Sequence, residues 1–206
     1  MEDVLDLYQE SFDPEKPVVT FDEQPVQLIS ETRQPIPAQP GQRERYDYEY
    51  KREGTANVFE FFQPLAGWRH LKVTAQRTKS DFAQCLKDLV DVHFPKAKVI
   101  RVVLDNLNTH DLSALYETFE PAEARRIAQK LEFHYTPKHG SWLNMVEIEF
   151  SILSRQCLDR RISSLKILRR EIARWEKQRN QQKATVRWHF TTDVARERLH
   201  ALYPSI

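Results

Sequence analysis

The chain has 206 residues, of which 40% are hydrophobic and 30% charged, with a formal net charge of +1, a balance that suits one globular domain with a real core. No apolar run approaches the roughly 18 residues a membrane helix needs, and the acidic start, Met1 to Glu10, lacks the basic-then-apolar order of a secretory signal. Cys85 and Cys157 stand far apart without metal-ligand spacing, as expected for two buried, reduced thiols in a cytoplasmic protein.

In chain order, residues 1–16 form a linker or short leading helix. Pro17-Val-Val-Thr-Phe-Asp22 is then a short β-rich run that ends on the acidic pair Asp22-Glu23. From Glu31 to Asn57, Pro35, Pro37, Pro40, Gly41 and Gly54 interrupt regular structure, and Tyr46, Tyr48 and Tyr50 would share one face of any strand there. Two strands, Val58–Gln63 and His70–Gln76, flank the turn residues Pro64 to Trp68 and so form a hairpin. A helix with Ser80 as N-cap carries Phe82, Leu86, Leu89 and Val90 to about His93, and Pro95 stops it. Val99 to Leu104 is a near-continuous apolar run typical of a strand covered on both faces, and Asp105 closes it. A helical region over about Leu112–Lys130, broken near Pro121, precedes a strand at Leu131–Tyr135 and a loop at Pro137–Gly140. Helical patterns follow from Ser141 to about Ile162, Ser164 to Gln182 and Asp193 to Tyr203. This order predicts an α/β fold with a mixed sheet, for which the ribonuclease H-like arrangement, a five-stranded sheet flanked by helices in three layers, is one solution.

Charge is uneven along the chain. Residues 1–60 hold 14 acidic and 6 basic side chains, whereas residues 155–206 hold 13 basic and 5 acidic, which points to a polyanion beside the basic part or to an ordinary solvated helix face.

The acids carry the chemical signal. Asp22 and Asp105 end apolar strands, where α/β sheets collect ligands, and an ionised acid there needs a metal, an arginine or several donors. On the following helix, Leu143, Val146, Phe150, Leu153, Cys157 and Leu158 define an apolar stripe. An advance of about 100° per residue puts Glu147 within it and Glu149 about 40° outside, so Glu147 is the better ligand candidate and Glu149 the better solvent acid. Hard divalent cations take such oxygen ligands, and a pair of them clamps a phosphodiester. The sequence has no glycine-rich phosphate loop, nucleophile elbow or paired-cysteine zinc motif to compete.

Three blocks occur in order: Val18-Val-Thr-Phe-Asp22-Glu-Gln-Pro-Val-Gln; Val103-Leu-Asp105-Asn-Leu-Asn-Thr-His110; and His134-Tyr-Thr-Pro-Lys-His-Gly-Ser-Trp-Leu-Asn-Met-Val-Glu147. They resemble the catalytic blocks of DDE transposases of the bacterial insertion-sequence family six-thirty, within the mariner-like superfamily, and the segments Asp47–Asn57 and Leu153–Arg161 are similar to that family too. The resemblance implies an RNase H-like domain over residues 17–206. It also implies a triad of Asp22, Asp105 and Glu147 holding two Mg²⁺ or Mn²⁺ ions, with cleavage of DNA at element ends and joining of the 3′-hydroxyl to target DNA. Glu147 matches the family's Leu-Asn-x-x-Glu pattern. The family further implies a helix-turn-helix recognition domain ahead of residues 1–16, absent from this chain, and a homodimer on DNA. A nuclease without strand transfer and a non-catalytic DNA-binding remnant are the alternatives.

DNA contacts are assigned to Lys138 and His139 near the active-site helix and to Arg155, Arg160 and Arg161 behind it, where phosphate contacts give sequence-independent affinity. Arg43, Arg45, Lys51 and Arg52 among the tyrosines form either a DNA-contacting or dimerising flap or a packed segment. Trp142 is expected to be a packing anchor. Asn106 and His110 are candidates for orienting a metal-held water or a phosphate, with helix capping an equal reading for Asn106.

Overall fold

The computed structural model describes residues 1–107 and 110–203; Asn108 and Thr109, inside the second block, lie outside the described residues. One sheet has the strand order β3-β2-β1-β4-β5. β1 (Val18–Glu31), β2 (Tyr50–Gln63) and β3 (Trp68–Thr74) form an antiparallel meander. β4 (Ile100–Leu104) and β5 (Leu131–Tyr135) run parallel to β1 beyond it. Parallel strands require crossovers, which α2 (Lys79–Asp88), α3 (Ser113–Thr118) and α4 (Pro121–Ala128) provide on one face. The other face is covered by α1 (Glu2–Gln9), α5 (Val146–Leu153), α6 (Leu165–Gln181) and α7 (Thr192–Arg198).

Side-chain alternation divides the core between these layers. Val18, Val26, Leu28, Val58 and Phe62 point to the face of α1, α5 and α6, whereas Val19, Phe21, Phe59 and Phe61 point to the face of α2–α4. All five residues of β4 are buried, as its unbroken apolar run requires. The mixed three-layer α/β architecture expected from the element order is therefore the observed one.

Several local details differ from expectation. β1 continues past Asp22 to Glu31 as half of a long two-stranded ribbon with β2. Pro25 is tolerated because β1 pairs with β4 only as far as Thr20, so one side of the strand needs no donor there. The N-cap of α2 is Thr78 and not Ser80: Thr78 and Asp81 exchange hydrogen bonds as a capping box. At the β2–β3 turn, Gly67 has φ +63°, and a Cβ there would stand 2.5 Å from the Lys183 carbonyl carbon, so this turn admits only glycine.

Beneath α5 and α6 lies a buried ionic cluster. The Arg69 guanidinium, with no exposure, pairs with Glu149 at 2.9 Å and bonds the Gly67 and Ala184 carbonyls. Arg179 reaches Glu149 from α6 at 2.8 Å. Glu60 is also fully buried, and neither of its carboxyl oxygens has a hydrogen-bond partner among the described residues. Burial first, then the charge of Glu149, pushes Glu60 well above its ordinary 4.5, so it keeps its proton to higher pH than a free glutamate does.

The unfolded chain ionises Glu60 near 4.5 and the folded chain only at higher pH, so the stability this residue contributes falls as pH rises above that value. Glu60→Gln is expected to match the wild-type melting temperature near pH 4 and to exceed it increasingly towards pH 8. A difference that stays constant over this range in thermal melts would contradict the assignment.

Candidate active site

The parallel register pairs Val18 with Arg101, Val19 with Val102 and Thr20 with Val103. Continued by two residues, it sets Asp22 beside Asp105 just past the end of β4, and neighbouring strands lie about 4.8 Å apart. The Asp22 carboxylate accepts a hydrogen bond from the Glu23 backbone N–H at 2.8 Å. Burial, reinforced by the charges of Asp105, Glu23 and Glu147, nevertheless pushes it up to about 7. Glu147 is raised as well, by partial desolvation where it leans towards the aspartates and then by the charge of Asp105. Asp105 is instead lowered, chiefly by its 2.6 Å hydrogen bond from His110.

The three sequence-predicted acids thus lie within range of one another's charge at one edge of the sheet. Among the described residues, neither Asp22 nor Glu147 forms an ion pair, and no three His, Cys, Asp or Glu side chains are already drawn to metal-ligand spacing. Carboxylates in this arrangement repel, and a divalent cation is what would bring them together.

Asn144 carries the third acid to the other two. Its buried side-chain amide donates to the Phe21 carbonyl at 2.8 Å, immediately before Asp22 on β1. The Asn144 backbone carbonyl accepts from the Glu147 N–H at 3.1 Å, so one residue ties the start of α5 to β1. The expected continuous helix from Ser141 does not form. A 3₁₀ turn at Ser141–Leu143 gives way to an extended Asn144, and α5 begins at Val146.

This break overturns the expected burial of the two glutamates: Glu149 is fully buried and Glu147 is exposed. Leu143 lies outside the helix, and Cys157 and Leu158 lie in a π-helical turn, Ser154–Leu158, so none of them shares the phase of α5. Val146, Phe150 and Leu153 alone centre the stripe near Val146, about 60° from Glu149 and about 100° from Glu147. Arg69 and Arg179, far away in sequence, neutralise Glu149 in the core. Glu147 projects from the opposite side of that stripe, towards the field of Asp105.

His110 is not at the open edge that Asp22, Asp105 and Glu147 share. It is buried behind it, with Nδ1 2.6 Å from Asp105 and Nε2 2.7 Å from Glu23. Burial alone would lower this imidazole, but the hydrogen bonds to Asp105 and Glu23 dominate and push it up to about 9. Glu23 and Arg77, which pairs with Glu23 at 3.2 Å, are functional candidates that sequence reasoning missed. The adjacency of Glu23 to Asp22 was the available signal.

A cavity of about 440 Å³ opens between Asp105–Leu107 and Thr136–Ser141, with Lys138 and His139 on its wall. A turn shapes this wall: Gly140 donates to the Pro137 carbonyl, and His139 adopts φ +62°. A Cβ at Gly140 would stand 2.6 Å from the Pro137 ring. Trp142 is 47% exposed but stacks on Trp188, with ring centroids 6.4 Å apart, so it is both an anchor and a surface.

Of the three arginines, Arg155 is exposed. Arg160 pairs with Glu171 at 2.7 Å. Arg161 pairs with Glu31, donates to the Asp47 and Glu49 carbonyls and lies over the rings of Tyr46 and Tyr50. It therefore fastens the segment between β1 and β2, and its guanidinium is largely engaged within the chain.

The two glutamates of α5 should separate in a stability assay. Removing one partner of a buried ion pair costs about 3–5 kcal/mol, so Glu149→Ala is expected to lower stability by that order. Glu147→Gln, which relieves repulsion from Asp105, should leave the metal-free melting temperature equal or slightly higher. Equal losses in chemical denaturation would contradict the assignment of these two environments.

A family model of DDE superfamily endonucleases matches residues 17–169 of the chain. The structure is similar to a Mos1 transposase paired-end complex with left transposon end, with a TM-score of 0.58 at 14% identity, covering 89% of this chain and 57% of that one. Similar agreement holds for a Mos1 mariner paired-end complex with Mn, with a TM-score of 0.57, 14% identity and coverage of 88% and 56%. For such a complex with Mg, the TM-score is 0.53 at 16% identity, with coverage of 93% and 58%. The chain thus spans 53–58% of the Mos1 chains it resembles. A comparison of the sequence with curated proteins finds no match. No described helix is long and apolar enough to cross a membrane. The mixed sheet and its flanking helices have the catalytic RNase H-like fold of the Mos1 transposase, and by the family match over most of its length the chain belongs to the DDE superfamily endonucleases.

Proposed function

We propose that this chain is the catalytic domain of a transposase of insertion-sequence family six-thirty, within the mariner-like superfamily. It cleaves DNA strands at element ends and joins the 3′-hydroxyl to target DNA. The observation that carries this reading is the approach of Asp22, Asp105 and Glu147 within range of one another's charge, with Asp22 pushed up to about 7 and no cation paired with it among the described residues. An all-oxygen site of this kind fits hard divalent ions. Two Mg²⁺ or Mn²⁺ ions held by the triad would supply Lewis acidity on both sides of the scissile phosphate.

The chain's own residues place the DNA and the acids. Asn144 holds α5 against β1 so that Glu147 faces the aspartates. Lys138 and His139 line the cavity beside Asp105, within reach of a phosphate approaching the triad. Arg155 extends positive charge beyond α5, and Arg160 and Arg161 contribute to the same field from within their ion pairs. Residues 1–16 connect to a helix-turn-helix recognition domain, and a homodimer assembles on the two element ends.

The reading is tested with supercoiled plasmid and pre-nicked element ends in Mg²⁺. Joined product is expected from wild type. Asp105→Asn or Glu147→Gln should reduce nicking and joining by well over the roughly 10–100-fold that loss of an outer partner costs. Nicks without joined product would favour a nuclease, and binding without either a non-catalytic domain. Cleavage that survives either substitution undiminished would overturn the triad.

A further inference from the structure

His110 has a more constrained setting than a capping or water-orienting residue needs. Its side chain is 1% exposed. The ring sits 5.3 Å from that of Phe21 and 5.0 Å from that of Phe82. Nδ1 lies at hydrogen-bond distance, 2.6 Å, from Asp105 Oδ1, and Nε2 lies 2.7 Å from Glu23 Oε2. The Tyr135 hydroxyl donates to the His110 carbonyl at 2.9 Å, which fixes the backbone as well.

The support continues one step further. The Glu23 side chain is also 1% exposed, and its other oxygen meets Arg77 at 3.2 Å. Strand alternation places Glu23 on the face opposite Asp22, so consecutive residues of β1 serve the front and the back of the same site. The Leu107 N–H adds a 3.3 Å bond, again to Oδ1 of Asp105. Every hydrogen bond to the Asp105 carboxylate among the described residues therefore falls on Oδ1.

We infer that Glu23 and His110 are a positioning pair that turns Oδ1 of Asp105 towards the protein and presents Oδ2 to the cation site; this rests on the metal-binding reading above. A carboxylate on a short side chain otherwise rotates, and ligand orientation would have to be restricted on each binding event. Glu23 is hydrogen-bonded to Asp105 only by way of the imidazole, because its two oxygens are occupied by His110 and Arg77, while its charge also falls on Asp22. Ligand orientation by a hydrogen-bonded second group is a common source of metal affinity, worth about 10–100-fold.

The test is Mn²⁺ binding to the full chain, followed by the electron paramagnetic resonance signal of free Mn²⁺. Wild type is compared with Asp105→Asn, His110→Ala, Glu23→Gln and the Glu23→Gln/His110→Ala double variant. Expected are loss of site binding in Asp105→Asn, a roughly 10–100-fold rise in Kd for His110→Ala, and a smaller rise for Glu23→Gln. The double variant should bind within a few-fold of His110→Ala, since Glu23 has no other hydrogen-bonded route to Asp105 and keeps only its direct charge effect on Asp22. His110→Gln, whose amide still donates to Asp105, should recover part of the affinity. Unchanged Kd in both single variants, or effects that multiply in the double variant, would overturn the pair. If wild type binds no Mn²⁺, or Asp105→Asn binds as wild type does, the triad reading itself fails. Should His110→Ala not fold by near-ultraviolet circular dichroism, Glu23→Gln decides: weaker binding supports the pair and unchanged binding removes it.

Discussion

Because β1 and β4 run parallel in a register that matches Thr20 with Val103, Asp22 and Asp105 arrive side by side at the carboxyl end of the sheet. Everything else at the site answers to that placement. Two half-buried acids at adjacent strand ends repel, and among the described residues no cation pairs with Asp22, while Asp105 is held by a histidine from behind. Asn144 then closes the third side by binding the backbone of β1 beside Asp22 and starting the helix that bears Glu147. The electrostatic cost of this cluster is retained in the fold, as perturbed acids commonly are at functional sites.

The two glutamates of α5 show how the same residue type divides between structure and chemistry. Glu149 lies in the core with Arg69 and Arg179, an ion-pair cluster that fixes α5 and α6 against β3. Glu147, two residues earlier, faces Asp105 with no partner of its own among the described residues. Charge that is segregated along the chain also meets in space: Arg196 near one terminus pairs with Glu2 near the other at 2.7 Å, and Arg161 pairs with Glu31. Part of the basic excess after residue 155 is thus internal pairing, which the linear charge pattern does not distinguish from a DNA-binding face.

Much of the fold was legible in the sequence. The run Val99–Leu104 announced a strand covered on both faces, Leu131–Tyr135 was placed to the residue, and Pro121 divided α3 from α4 as expected. The extension of β1 to Glu31 was hidden by Pro25, which is disfavoured in a strand paired on both sides but harmless where pairing is one-sided. The phase of α5 was hidden by the 3₁₀ turn before it and the π turn after it, since a stripe averaged over three helical geometries points in no real direction. The support of Asp105 by His110, Glu23 and Arg77 was not legible, because it joins three loop and strand positions that only the folded register brings together.

Whether three acids distant in sequence form one cation site is measured directly by anomalous scattering from a crystal of the chain soaked in Mn²⁺. Mn²⁺ is expected between Asp22, Asp105 and Glu147, with Glu149 still paired to Arg69 and Arg179. Manganese bound elsewhere, or ligated by Glu149 in place of Glu147, would contradict that site.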